Sequence, residues 1–135
     1  RYVLSKTLYI LCQNLPSPPP SISRDVSLLE RIKLLLQYIE QHYAETISNQ
    51  TLMRLAACSE SVLLRSFKKT VGTSPMNYLQ NYRIQQASSL LLSTDMTSSE
   101  IAIATGFHDI SYFTKIFHRT TGLAPQRFRA AHRTQ

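Results

Sequence analysis

The chain has 135 residues, 43% of them hydrophobic and 17% charged, enough for one ordinary core and too few for two full-sized domains. That balance excludes a disordered chain, and no apolar run comes near the roughly 20 residues of a membrane-spanning helix. Fifteen Lys plus Arg against eight Asp plus Glu leave a net charge of +7, which favours polyanionic partners such as nucleic acid or acidic lipid.

In chain order, Leu4, Leu8, Leu11 and Leu15 recur at helical spacing, so residues 2–15 are predicted as an amphipathic helix. It would pack on this domain, end an upstream domain, or form a self-association stripe. The stretch 6–12 lacks the small residue and the apolar length of a signal sequence. Arg1 in place of Met makes the chain read as a fragment or processed form. Pro16-Ser17-Pro18-Pro19-Pro20 is a stiff extended spacer that marks a boundary. Cys12 and Cys58 form no CxxC pair, which fits a reduced, cytoplasmic setting.

After the spacer, Leu28, Leu29, Ile32, Leu35, Leu36, Ile39 and Tyr43 keep a 3.6-residue period, predicting a helix over 25–43. Further helices are predicted over 50–57, 60–71, 75–93, 98–105, 109–121 and 125–132. Asp25, Ser59, Ser74 before Pro75, and His108 or Asp109 are the expected caps. No stretch alternates as a strand would, so the fold is all-α.

An internal repeat at an offset of 50 residues is more informative. Residues 61–75 line up without a gap on 111–125, with Ser61/Ser111, Phe67/Phe117, Thr70/Thr120, Gly72/Gly122 and Pro75/Pro125 identical, and Arg65 facing Lys115. In each copy a helix stops at a glycine, where a left-handed cap costs little, and a proline starts the next. A short helix precedes each copy. Leu52, Leu55 and Ala56 in the first, and Ile101, Ala102 and Ala104 in the second, are expected to line its core face. Two helices across a tight turn form a helix-turn-helix, so the chain contains two such units. They span residues 25–74 and 94–135, bridged by a linker helix over 75–93 and preceded by a tail of residues 1–24.

In that motif the second helix enters the major groove. Leu63 and Phe67 point inward in the first copy, leaving Ser61, Leu64, Arg65 and Lys68 outward. Phe113 and Phe117 point inward in the second, with Tyr112 and Ile116 partly buried, leaving Ile110, Ser111, Thr114, Lys115 and His118 outward. Arg65 suits bidentate bonding to guanine and Lys115 is its counterpart, whereas Leu64 and Ile110 suit thymine methyls. Ser61, Ser111 and Thr114 suit bases or phosphates, and Lys68, Lys69 and Arg119 phosphates. Residues 1–60 carry a net charge of +1 and residues 61–135 a net charge of +6, so the positive field coincides with the repeats. The 19 residues of 75–93 would span about 28 Å, against about 34 Å between successive major-groove faces. Arg83 on this helix is expected to reach a phosphate or to form an ion pair that pins the linker.

The residues of 52–59, with Leu63, Phe67-Lys68-Lys69, Gly72 and Pro75, and then Tyr78-Leu79, Arg83, Ala87 and Leu91, form one half of a longer pattern. Ile101-Ala102, Gly106-Phe107, Asp109, Ser111-Tyr112-Phe113, Phe117, Gly122, Pro125 and Arg129 form the other. From about residue 28 to 130 this pattern resembles the DNA-binding domain of AraC/XylS-type bacterial transcription regulators. The resemblance implies seven core helices in two helix-turn-helix subdomains, promoter DNA bound in consecutive major grooves, and a separate sensing or dimerisation domain. By position it places base contacts at Ser61, Leu64, Arg65, Ile110, Ser111, Thr114 and Lys115. His118 stands where the family carries Lys or Arg, which weakens a phosphate contact at neutral pH. RNA polymerase is an expected partner, and a homodimer would form through the upstream domain or residues 2–15. The competing reading is a protein-interaction module that has lost DNA binding. The four histidines have no metal-ligand spacing, and no HExxH, Walker or Gly-x-Ser-x-Gly pattern occurs, so no catalysis, cofactor or metal is expected.

Overall fold

A computed structural model describes residues 23–133; the predicted helix over 2–15 and the proline spacer lie outside them. Among the described residues there are seven helices and no strand: α1 (Ser23–His42), α2 (Asn49–Ala56), α3 (Glu60–Val71), α4 (Pro75–Ser93), α5 (Ser98–Ala104), α6 (Ile110–Thr121) and α7 (Pro125–Arg133). None is long and apolar enough to cross a membrane. The backbone groups into two compact units. The first holds α1 up to Gln41 and Ile47–Met76; the second holds His42–Thr46 and the residues from Asn77 onward.

In unit 1, Ile32, Leu35 and Ile39 form the buried stripe of α1, and Leu52 and Ala56 that of α2. Ser48 starts α2, its hydroxyl accepting from the Thr51 N–H at 3.2 Å. The helix ends at Ala57, a left-handed residue with φ +52°, and the Cys58 N–H closes back on the Met53 carbonyl at 3.2 Å. Ser59 then caps α3 through the Val62 N–H at 3.3 Å, and α3 packs on α2. Gly72, at φ +95°, ends α3 with its N–H on the Lys68 carbonyl at 2.8 Å.

Unit 2 repeats this logic around one core of Ile84, Ala87, Leu91, Ile101, Ala102, Phe107, Phe113, Ile116 and Phe117. Asp109 caps α6, its carboxylate accepting from the Ser111 N–H at 2.9 Å. The turn differs by one residue. From left-handed residue to N-cap the first unit runs Ala57-Cys58-Ser59, and the second Gly106-Phe107-His108-Asp109. The extra residue is accommodated because Phe107 turns into the core, 5.1 Å from the Phe113 ring.

Two local expectations fail. Asp25 lies inside α1 and does not cap it. Leu55 and Ala104 are exposed, because the inward stripe of α2 runs through positions four apart, Leu52 and Ala56. After α5 the corresponding place falls to its C-cap, Thr105, fully buried with its hydroxyl donating to the Ile101 carbonyl at 2.7 Å.

A capping box opens α5: the Glu100 N–H donates to the Thr97 hydroxyl at 3.1 Å, and the Thr97 N–H to the Glu100 carboxylate at 2.8 Å. The T-x-x-E spacing signals it directly. The Thr97 backbone N–H, and then its hydroxyl, hold the Glu100 carboxyl below its ordinary range. A carboxylate whose folded value is depressed adds stability above its unfolded value and loses it as pH falls through the folded one. Glu100→Gln is therefore expected to lower the thermal midpoint at neutral pH, and the difference from the parent to close as pH falls through the depressed folded value. Melting curves taken across the acid range measure it; a constant difference would show that charge plays no part.

Candidate nucleic-acid interface

Each unit presents one helix whose inward face is fixed by large apolar side chains. On α3, Leu63 and Phe67 are buried, and Ser61, Leu64, Arg65, Lys68 and Lys69 are all exposed. Glu60 is exposed at the start of the same helix. Among the described residues no carboxylate pairs with Arg65, Lys68 or Lys69. This half of the expected reader is therefore presented to solvent, with its cations uncompensated.

On α6, Phe113, Ile116 and Phe117 are buried, and Ile110, Ser111, Lys115, His118 and Arg119 are exposed. Thr114 is half-buried, and its hydroxyl donates to the Ile110 carbonyl one turn back at 2.9 Å. Tyr112 departs from expectation, being 44% exposed, whereas Ile116 is only 3% exposed. The Tyr112 ring lies 6.2 Å from Phe107, and its hydroxyl accepts from the Gln80 amide of α4. A pairing across 32 positions leaves no periodic trace in the sequence.

Three arginines that swell the positive count have other work. Arg83 forms no ion pair among the described residues. Its guanidinium donates to the Tyr43 carbonyl at 2.7 Å and the Glu45 carbonyl at 2.8 Å, and lies 5.9 Å from the Phe107 ring centroid. Burial pushes its pKa down, with Tyr112 working the other way. Gly106 makes this possible: a Cβ there would meet the Tyr43 carbonyl oxygen at 2.7 Å and the Arg83 Nε at 2.8 Å.

Arg129 donates to the carbonyls of Leu91, Thr94 and Met96 at 2.9, 3.1 and 2.6 Å. Arg133 pairs with Asp95 at 2.9 Å and also donates to the Thr94 carbonyl. Both guanidiniums close the C-terminal end of α4, where orphan carbonyls and the helix dipole favour positive charge. The basic tail of the sequence is thus partly a helix cap. Lys115 and Arg119 remain exposed on α6, and no carboxylate pairs with them among the described residues. No group of His, Cys, Asp and Glu among the described residues could hold a metal ion.

Known proteins share this arrangement. A family model described as a helix-turn-helix domain matches residues 52–131. The chain is 32% identical over 99 residues to the HTH-type transcriptional activator RhaS of an Enterobacter species, covering 73% of this chain and 36% of that protein. It spans between about a third and a half of the length of the curated relatives it matches first. The crystal structure of the DNA-binding domain of AdpA, a global transcriptional factor in complex with a target DNA, superposes with a TM-score of 0.74 at 28% identity, covering 77% of this chain and 94% of that one. A Chromobacterium violaceum transcriptional regulator with an AraC-type DNA-binding domain superposes with a TM-score of 0.72 at 25% identity, covering 79% and 95%.

Proposed function

This chain belongs to the AraC/XylS-type helix-turn-helix family, and on that premise we propose that it is a sequence-specific, double-stranded-DNA-binding transcription regulator that acts as an activator. The observation that carries the reading is the repeated design of α3 and α6. In each, buried apolar side chains fix the inward face and leave an exposed row of hydroxyl, aliphatic and uncompensated cationic groups. The relatives' names support it, one as a transcriptional activator and one through its complex with a target DNA.

Ser61, Leu64 and Arg65 read bases from unit 1, and Ile110, Ser111, Thr114 and Lys115 read bases from unit 2. Lys68, Lys69, His118 and Arg119 meet phosphates. The two helices enter consecutive major grooves of one promoter duplex, with 25–74 and 94–135 as the reading subdomains and 75–93 as the linker. RNA polymerase is the second partner, self-association runs through an upstream domain or residues 2–15, and the protein acts in the cytoplasm at the nucleoid.

In vitro selection from random duplexes tests this, and it should return two half-sites about one helical turn, roughly 10 base pairs, apart. On the selected duplex, Arg65→Ala should cost about 1–3 kcal/mol and relax preference at one base pair. Lys69→Ala should weaken all duplexes alike and reduce the slope of log affinity against log salt by about 1. Arg65→Ala binding as tightly as the parent would remove α3 from the groove. Affinity insensitive to salt would leave a protein-interaction module.

A further inference from the structure

We infer that α6 selects its half of the DNA site by the 5-methyl groups of two neighbouring thymines, gripped by Ile110 and Thr114. The inference rests on the DNA-binding reading and specifies what one of the two reading helices recognises.

Ile110 is the first residue of α6 and is 39% exposed. It is not a member of the unit 2 core, whose α6 residues are Phe113, Ile116 and Phe117. Thr114 lies one turn on, and residues four apart share a helix face. Its hydroxyl donates to the Ile110 carbonyl at 2.9 Å, so the oxygen leans back on the helix and its only hydrogen is engaged. What Thr114 then offers a partner is a γ-methyl and an oxygen that can only accept. Ile110, exposed, and Thr114, half-buried, thus share one face at the leading end of the helix. In the major groove the one apolar group on a base edge is the thymine 5-methyl.

The neighbouring row supplies the rim. Ser111 and Lys115 are exposed beside the pair, and their polar groups suit backbone or purine acceptors flanking the methyls. Ile110 and Thr114 are about 6 Å apart along the axis at 1.5 Å per residue. Bases along one strand are about 3.4 Å apart. The two side chains therefore reach methyls one or two base pairs apart.

Unit 1 offers only one such side chain, the exposed Leu64. At the offset of 50, the positions of Ile110 and Thr114 are held by Glu60 and Leu64. The exposed carboxylate of Glu60 interrupts the apolar row, and Arg65 supplies a fork suited to guanine. The two halves of the site are therefore unlike in chemistry: one combines the Arg65 guanidinium with a single aliphatic, Leu64, and the other pairs Ile110 with Thr114 beside Lys115.

The experiment replaces thymine by uracil, one position at a time, in the duplex obtained by selection. Uracil keeps every hydrogen-bonding group and lacks only the methyl. Two positions within two base pairs of one another should each lose about fourfold in affinity, the effect of exposing one methylene-sized group. Thr114→Ser keeps the hydroxyl and deletes the methyl, so it should abolish the uracil effect at one of those positions. Ile110→Ala should abolish it at the other, with melting curves confirming that both variants fold. A selected duplex that binds tightly yet tolerates uracil throughout, or that carries no thymine in the half sensitive to Lys115→Ala, overturns the inference and leaves the DNA-binding reading standing. Failure to select any duplex overturns both.

Discussion

Gly106→Ala is expected to destabilise unit 2 by about 3–5 kcal/mol. A left-handed conformation costs an L-residue roughly 1–2 kcal/mol, and Gly106 sits at φ +93°. The larger contribution is steric. The added methyl would fall 2.7 Å from the Tyr43 carbonyl oxygen and 2.8 Å from the Arg83 Nε, and it can be accommodated only by separating them. That strands carbonyls now held by a guanidinium, and a hydrogen bond to a charged group contributes about 1.5–3 kcal/mol. Gly72 and Gly122 provide the control, since both are left-handed but a Cβ at either meets nothing within 4 Å. Alanine there should cost only the conformational penalty of about 1–2 kcal/mol. Urea unfolding of the three variants measures the contrast. Combining Gly106→Ala with Arg83→Ala should lose less than the sum of the single losses, because both remove one contact. Equal losses at all three glycines would mean that the close approach contributes nothing.

Phe117→Ala should cost about 3–5 kcal/mol, the range for emptying a buried aromatic site. Phe117 is fully buried, 5.7 Å from the Phe113 ring and edge-on to Phe128 at 5.3 Å, and such pairs add to the area they bury. The consequence for function exceeds the loss of stability. Phe113 and Phe117 are what turn the opposite row of α6, from Ile110 to Lys115, toward solvent. Loosening Phe117 should therefore weaken binding to the selected duplex even where most of the protein remains folded, whereas Phe117→Leu should retain much of both. Denaturant unfolding alongside titration of the same duplex separates the two effects. Affinity unchanged in a folded Phe117→Ala variant would show that α6 needs no core anchor to present its outer face.

Much of this molecule is local physics, and local physics can be read in one dimension. The starts and stops of the helices follow from apolar periodicity, from hydroxyl and carboxylate caps such as Ser59 and Asp109, and from the glycine-to-proline spacing after Gly72 and Gly122. Each of these interactions spans a few residues, so its signal survives in the order of the amino acids. The outward faces of α3 and α6 are legible for the same reason: Leu63 with Phe67, and Phe113 with Phe117, determine what must point the other way. The capping box at Thr97 went unread in the sequence although its T-x-x-E spacing carries the signal.

Tertiary structure alone decided the roles of the residues whose partners are remote in sequence. Arg83 serves carbonyls 38 and 40 positions away, and Arg129 serves carbonyls 33 to 38 positions away. A count of charges assigns all of them alike to a polyanion. A guanidinium goes to the nearest unsatisfied oxygens, and only the folded chain places those oxygens. Tyr112, expected to be partly buried, is exposed and accepts from the Gln80 amide 32 positions away. Periodicity therefore determined which surfaces this protein shows, and the long-range fold decided which of its charges are left to act there.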